Sequence, residues 1–246
     1  MKNSNMQKGY YMELESLIFD YNKRKQMRDH PVFVQIKEIW QRGTYSTSER
    51  TGCLNYLMKQ IHENKTIDNE DAIVKQMEWI QFYFDSGKKR KTEEETFQNK
   101  QYYGRTLEEL YEIALELKRD VNNVGYNINE QAALNIVYIK VIDDTYNEYM
   151  RCFNVIFKLK NVYPEFTFSL AKPLEATEYG VDVIVKAGNK MISSLRILPI
   201  LAIKRKDEEE NKYKQQHEIF KMIYNIDTLF VYSSIEGNIS GSLPSF

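Results

Sequence analysis

Tyr179-Gly180-Val181-Asp182-Val183-Ile184-Val185-Lys186-Ala187-Gly188-Asn189-Lys190-Met191-Ile192-Ser193-Ser194-Leu195-Arg196-Ile197-Leu198 sets the architecture of this chain. Tyr179 to Val185 is rich in β-branched residues and reads as a strand. Ala187-Gly188-Asn189 is a hairpin turn signal, and Met191 to Leu198 returns as a second strand. Upstream, Glu165 to Ala171 alternates Phe166, Phe168 and Leu170 against Thr167 and Ser169, the period of a half-buried strand. Downstream, Leu201 to Tyr224 is strongly charged and helical, Thr228 to Tyr232 is a short apolar strand, and the Gly- and Ser-rich tail from Gly237 to Phe246 reads as irregular. Before all of these, Glu130 to about Lys160 carries dense apolar positions (Ile136, Val137, Val141, Tyr149, Phe153, Ile156) and reads as one long, largely buried helix. The expected order is long helix, three strands in a meander, crossover helix, fourth strand.

The first 130 residues read as helices. Leu14, Leu17, Ile18 and Tyr21 recur at the helical period, and His30-Pro31 ends that segment. Val32 to Trp40, Gly52 to His62 and Asp68 to Phe84 follow as further amphipathic candidates. Ser86-Gly87-Lys88-Lys89-Arg90-Lys91-Thr92-Glu93-Glu94-Glu95 reads as a helix stop at Gly87 followed by a solvated connection. Thr106-Leu107-Glu108-Glu109 is a capping box, opening a helix expected to run to about Asn123 and end at Gly125.

The 246 residues are 42% hydrophobic and 28% charged, so a folded chain is expected and disorder is not. The net charge of −1 excludes a polycation, and any nucleic-acid surface must be a local patch. Cys53 and Cys152 lack a nearby Cys or His at zinc spacing and read as buried thiols of a reducing compartment. No 20-residue apolar run exists and no apolar segment follows the N-terminus, so the expectation is a cytoplasmic protein that does not enter a membrane. His30, His62 and His217 are scattered, and no GxSxG, P-loop or GxGxxG occurs.

The element order, with the buried aspartate of Val181-Asp182-Val183-Ile184-Val185, the turn Gly188-Asn189-Lys190 and the run Ile192-Ser193-Ser194-Leu195-Arg196-Ile197, resembles the core of the PD-(D/E)xK nucleases over about residues 130–235. Ile142-Asp143-Asp144-Thr145-Tyr146-Asn147-Glu148 resembles the preceding helix of some type II restriction endonucleases of that family, where an acidic residue completes the site. The resemblance implies a mixed α/β fold, with a helical recognition or dimerisation region at 1–125 and a nuclease-like core of a mixed sheet flanked by helices at 126–246. It implies a Mg²⁺-dependent endonuclease acting on double-stranded DNA as a homodimer, whose two-fold symmetry would match a palindromic site. The family's third-strand acid or amide and its lysine would fall on Ser194 and Arg196. Serine is the weaker metal ligand, and arginine does not give up its proton.

Phosphodiester hydrolysis needs hard oxygen ligands for Mg²⁺. Asp182 is the candidate metal ligand; the alternative is a structural ion pair to Arg196 or Lys190 across the hairpin. Glu148 is the candidate helix carboxylate, with Asp144 four residues earlier on the same face; the alternative is solvation. Ser194 and Arg196 share a strand face, and Arg196 is placed to clamp a phosphate. Lys190 and Lys204 are stand-ins for the missing lysine. Lys88, Lys89, Arg90 and Lys190 are candidate phosphate contacts, against the reading of a merely solvated linker. Residues 101–150 carry nine acids and four bases, whereas 151–200 carry four acids and seven bases, which suits a metal site flanked by phosphate contacts or ordinary salt bridges. The rival readings are a catalytically inactive DNA- or protein-binding protein on the same fold, and a helical regulatory protein.

Overall fold

The protein is described by a computed structural model over residues 76–92 and 104–246. The expected helices among residues 14–62, with Cys53, His30 and His62, lie outside the described residues. These divide into two compact units: residues 105–143 belong to one, and residues 76–92, 104 and 144–246 to the other.

In the first unit, α2 (Leu107–Asn123) begins as its sequence requires. The Thr106 hydroxyl accepts from the Glu109 amide at 3.4 Å, and the Glu109 carboxylate accepts from the Thr106 amide at 2.8 Å. Together they satisfy two of the amides that a helix start leaves open. Gly125, at φ +93°, turns the chain away. Asn129 caps α3 (Glu130–Tyr138) by accepting from Ala132 at 2.8 Å. Leu110, Ala114, Leu117 and Val121 are the buried stripe of α2, and Glu130 ties the pair by accepting from Lys118 and Tyr111.

The expected single helix over 130–160 is three segments. α3 is followed by a π-helical turn, Ile139–Asp143, and then by α4, Asp144–Val162. A π turn adds a residue to the local period and re-phases the buried stripe; apolar density alone carries no mark of it.

In the second unit, α1 (Gln76–Thr92) continues through Gly87 instead of stopping there. Lys88, Lys89 and Arg90 therefore sit on the last turns of a helix and not on a connection. Gly104 is the residue that makes the close approach to this helix: a Cβ on it would fall 1.8 Å from the Tyr83 carbonyl oxygen and 2.7 Å from the Gly87 nitrogen.

β1 (Phe166–Leu170), β2 (Val183–Ala187) and β3 (Lys190–Pro199) form an antiparallel meander. A 3₁₀ segment (Ile200–Arg205) and α6 (Lys206–Tyr224) cross over to β4 (Thr228–Ser233), which pairs parallel to β3. The four-stranded sheet thus runs in the order β1-β2-β3-β4, a mixed α/β arrangement. The second strand starts later than its β-branched run implied, because α5 (Pro173–Glu178) and the turn at Tyr179–Gly180 occupy the approach.

Alternation sends the two faces of the sheet to different helices. Val183, Val185, Leu195, Ile197 and Val231 pack with Val155, Ile156 and Leu159 of α4. Ile184 packs with Phe220 of α6 and Ile226. The tail has no regular element, as expected, but it is anchored: Phe246 sets its ring edge-on to Tyr163, Phe166 and Phe168, and the Tyr163 hydroxyl donates to the Pro244 carbonyl at 2.8 Å. Among the described residues no helix is long and apolar enough to cross a membrane.

Candidate functional site

Asp182 stands just before β2, held in the sheet by its backbone: its amide donates to the Leu195 carbonyl at 2.8 Å and its carbonyl accepts from Ala171 at 2.9 Å. The β2–β3 register, with Val183 opposite Leu195, puts the next cross-strand position, Arg196, opposite Asp182. Arg196 Nη1 donates to Asp182 Oδ1 at 2.7 Å, and the Ile197 amide donates to Oδ2 at 2.6 Å. Both carboxylate oxygens are therefore engaged, one by a cation. The side chains are 17% (Asp182) and 21% (Arg196) exposed, so the pair is shielded without being sealed.

α6 completes the arrangement. Arg196 Nη2 donates to the Tyr213 hydroxyl at 2.7 Å, and the guanidinium carbon lies 4.2 Å from the Tyr213 ring centroid. His217, one turn later, stacks on Tyr213 and faces the Gly180 carbonyl at 3.3 Å. Gly180 has φ +63°, and a Cβ there would fall 2.9 Å from Tyr213 Cδ1, so a glycine is what lets the loop before Asp182 meet this ring.

Burial pushes the Asp182 carboxyl up, against the pull of Arg196 and the Ile197 amide. Burial acts to lower Arg196, but the charge of Asp182, Tyr213 and Glu148 outweighs it and holds the guanidinium more firmly protonated. The Cys152 thiol is driven well above its ordinary value by burial, with the Asp182 charge adding to it, so it is an inert packing group beside the core.

His217 is lowered from 6.5, first by burial and then by Arg196, while the Gly180 carbonyl and Asp182 act the other way. The folded protein thus binds fewer protons at this ring than the unfolded chain between the two values. The contribution is present above the ordinary histidine value and is lost as pH falls through it toward the folded value. Denaturant midpoints of wild type and His217→Gln at pH 7.5 and 5.5 test this; the wild type is expected to lose more stability on acidification than the variant, and equal losses would remove His217 from the pH response.

The other expected site residues are placed as follows. Glu148 is exposed on α4, within electrostatic reach of Arg196 and Cys152. Asp144 opens α4 and is half-buried. Ser194 is fully buried and is not brought to Asp182: it pairs with Ile184, and its hydroxyl meets Thr228 Oγ1 at 2.8 Å. Lys190 is exposed at the far end of the hairpin, opposite Ala187, five residues or about 16 Å along the strand from Asp182. It is thus Arg196, not Lys190, that pairs with Asp182. Lys204 is exposed on the 3₁₀ segment. Lys88 is exposed and lies 3.8 Å from Asp85.

Sequence reasoning missed Tyr213 and His217, although their i, i+4 spacing in line with buried Phe220 marks an inward aromatic stripe. It also missed Arg151, whose signal was a charged residue among the inward positions Tyr149, Phe153 and Val155 of α4.

The arrangement around Asp182 does not fit a Mg²⁺ ion as it stands. The carboxylate already carries a cation at 2.7 Å, and a dication there would meet like charge at contact distance. Among the described residues no three His, Cys, Asp or Glu side chains gather as a metal site requires. No protein-family model, no curated protein and no solved structure matches this chain.

Proposed function

We propose that this chain binds double-stranded DNA through a core of the PD-(D/E)xK kind, in which Arg196 has taken over the carboxylate that a hydrolase of that kind would give to metal. The observation that carries this reading is the 2.7 Å Arg196–Asp182 pair at the start of β2 and toward the C-terminal end of β3, in a chain ordered helix, three antiparallel strands, helix, parallel strand. An arginine so placed keeps its charge and offers a planar fork to phosphate oxygens, but it does not act as a base. Lys190 on the β2–β3 turn and the Lys88-Lys89-Arg90 cluster at the end of α1 are further phosphate contacts in this reading.

A second reading keeps cleavage: a Mg²⁺-dependent, sequence-specific endonuclease, acting as a homodimer. It is favoured by Glu148, a second carboxylate near the Asp182–Arg196 pair on an exposed helix position.

One experiment separates them. The purified chain is incubated with unmethylated DNA, in Mg²⁺ or in EDTA, beside Asp182→Asn, and is run in parallel as a gel shift at two salt concentrations. Retained, uncut DNA whose binding weakens steeply with salt supports the first reading. Discrete fragments that need Mg²⁺ and vanish in the variant support the second. DNA neither retained nor cut rejects both.

A further inference from the structure

β4 is the last strand of the sheet, and its outer edge is open where the strand begins. The Ser194 amide donates to the Asp227 carbonyl, so Asp227, Leu229, Val231 and Ser233 turn their main-chain groups to β3. Thr228, Phe230 and Tyr232 turn theirs away from it. The tail covers this edge only at its far end: the Ser240 amide donates to the Tyr232 carbonyl at 2.8 Å, and Ser233 bridges Ile239. The apolar residues Ile239, Leu243 and Phe246 of the tail then pack against the core on the α4 face. No described residue takes the outward amide and carbonyl of Thr228 or Phe230. An edge of this kind is a template for another strand.

A groove of about 480 Å³ runs along this edge, with α6 as its other wall. Its size is that of a ligand site, for which ~300–1,000 Å³ is usual. A strand edge on one side and a side-chain wall on the other is how peptides are added to a sheet: the main chain gives affinity, and alternate side chains give specificity. Phe230 and His217, with ring centroids 5.0 Å apart, are the ring surface of the groove. Around them stand four carboxylates, Asp207, Glu210, Glu218 and Asp227, and two lysines, Lys214 and Lys221. Lys221 is spent on Asp227, which leaves three carboxylates to the one lysine. Glu210 accepts from the Tyr232 hydroxyl and meets Lys206 only at 3.9 Å. Such an excess of acid repels a phosphate backbone and attracts a basic segment.

Spacing sets what that segment carries. Glu210 and Glu218 are eight helical residues apart, about 12 Å. Four residues of a strand span about 13 Å, and every second residue shares a face. Basic residues at the first and fifth positions therefore match Glu210 and Glu218. An apolar third position meets Phe230 and brings no charge to Lys214. In a strand antiparallel to β4, the residues that face α6 are the same ones that bond Thr228 and Phe230.

We infer that the groove between β4 and α6 docks an extended segment of a protein partner, with lysine or arginine at two positions four residues apart and an apolar residue midway. The inference goes beyond the DNA reading and does not rest on it.

The test titrates the full chain into a fluorescently labelled, end-blocked peptide, Ser-Lys-Thr-Val-Thr-Lys-Ser, and follows anisotropy. Saturable binding below about 1 mM is expected, weakening as salt rises. The same peptide with both lysines changed to glutamate, or with the central valine amide methylated, is expected to bind at least about tenfold more weakly. Glu218→Lys, at an exposed position, should melt as wild type does and bind the lysine peptide about tenfold more weakly. Amide exchange followed by NMR places the peptide. The Thr228 and Phe230 amides should slow on binding, while those of Leu229 and Val231, already bonded to β3, should stay as they were. The inference is overturned if the lysine peptide does not bind, if the glutamate peptide binds equally, or if binding leaves the Thr228 and Phe230 amides unprotected. Protection of those amides that grows with protein concentration and no peptide also overturns it, and gives the edge to a second copy of this chain. Protection by a double-stranded oligonucleotide overturns it in favour of nucleic acid. If Glu218→Lys melts below wild type, the three peptides compared on wild type decide.

Discussion

Asp182→Ala is expected to destabilise the protein by about 3–5 kcal/mol, because it leaves Arg196 buried and uncompensated. Asp182 accepts from Arg196 at 2.7 Å and from the Ile197 amide at 2.6 Å, so the truncation orphans both a guanidinium and a backbone donor. The residual exposure of the pair, 17% and 21%, admits some water and places the loss toward the lower end. At roughly 2–4 °C per kcal/mol for a chain of this size, the melting temperature should fall by about 10 °C. The double variant Asp182→Leu/Arg196→Met should recover much of that loss, since a buried pair is often no better than apolar residues of similar volume. Urea unfolding of the singles and the double gives the coupling directly. A single variant within about 0.5 kcal/mol of wild type would show that the pair contributes nothing to the fold.

Phe220→Ala is expected to cost a further 3–5 kcal/mol as a single change, by a different mechanism. Phe220 is the one fully buried side chain of α6, and it packs on Ala171, Val181, Ile184 and Ile226. Its ring also lies 5.6 Å from Tyr179 and 4.6 Å from Tyr224, so a cavity here releases a cluster of rings. The rest of α6 is charged and held by surface pairs such as Arg205–Glu209 and Lys212–Glu209, which are worth little each. Loss of Phe220 should therefore loosen the helix as a unit and take Tyr213 and His217 away from Arg196. Hydrogen exchange along α6 checks this: faster exchange from Lys206 to Tyr224, with the β1–β3 amides still protected, is the expected pattern. Uniform acceleration across the sheet would mean that α6 and the sheet open together.

The two kinds of residue in these predictions were not equally legible. Phe220 could be read as inward-facing from its helical spacing, and the Thr106-Glu109 box read correctly because every group in it is within three residues of the others. The alternation of Phe166, Phe168 and Leu170 likewise named a strand before any fold was known. The helix runs on through Gly87, where a stop was expected, because a glycine lowers helix propensity without forbidding the helix and so does not by itself mark an end. The π turn at Ile139–Asp143 was invisible for a related reason: an extra residue in a buried helix changes phase, not composition.

What the amino-acid sequence determined by itself was the order of the four strands and the helices before and after them, though not α5 between β1 and β2, and the alternation of apolar residues along the strands. Both follow from periods of 3.6 and 2.0 that are complete within a few residues of chain. It did not determine the partner of Asp182, for which Arg196 and Lys190 were both open. Tertiary structure decided that through the register. β2 and β3 shift by one residue at the bulge between Val185 and Lys186, and this shift brings Arg196 opposite Asp182 where an unbroken hairpin would have brought Leu195. A charge pair at 2.7 Å in place of a carboxylate facing a leucine is thus the product of one inserted residue across the sheet. The same holds for Tyr213 and His217, which reach Arg196 and Gly180 from α6 and acquire their chemistry only from what the fold sets beside them.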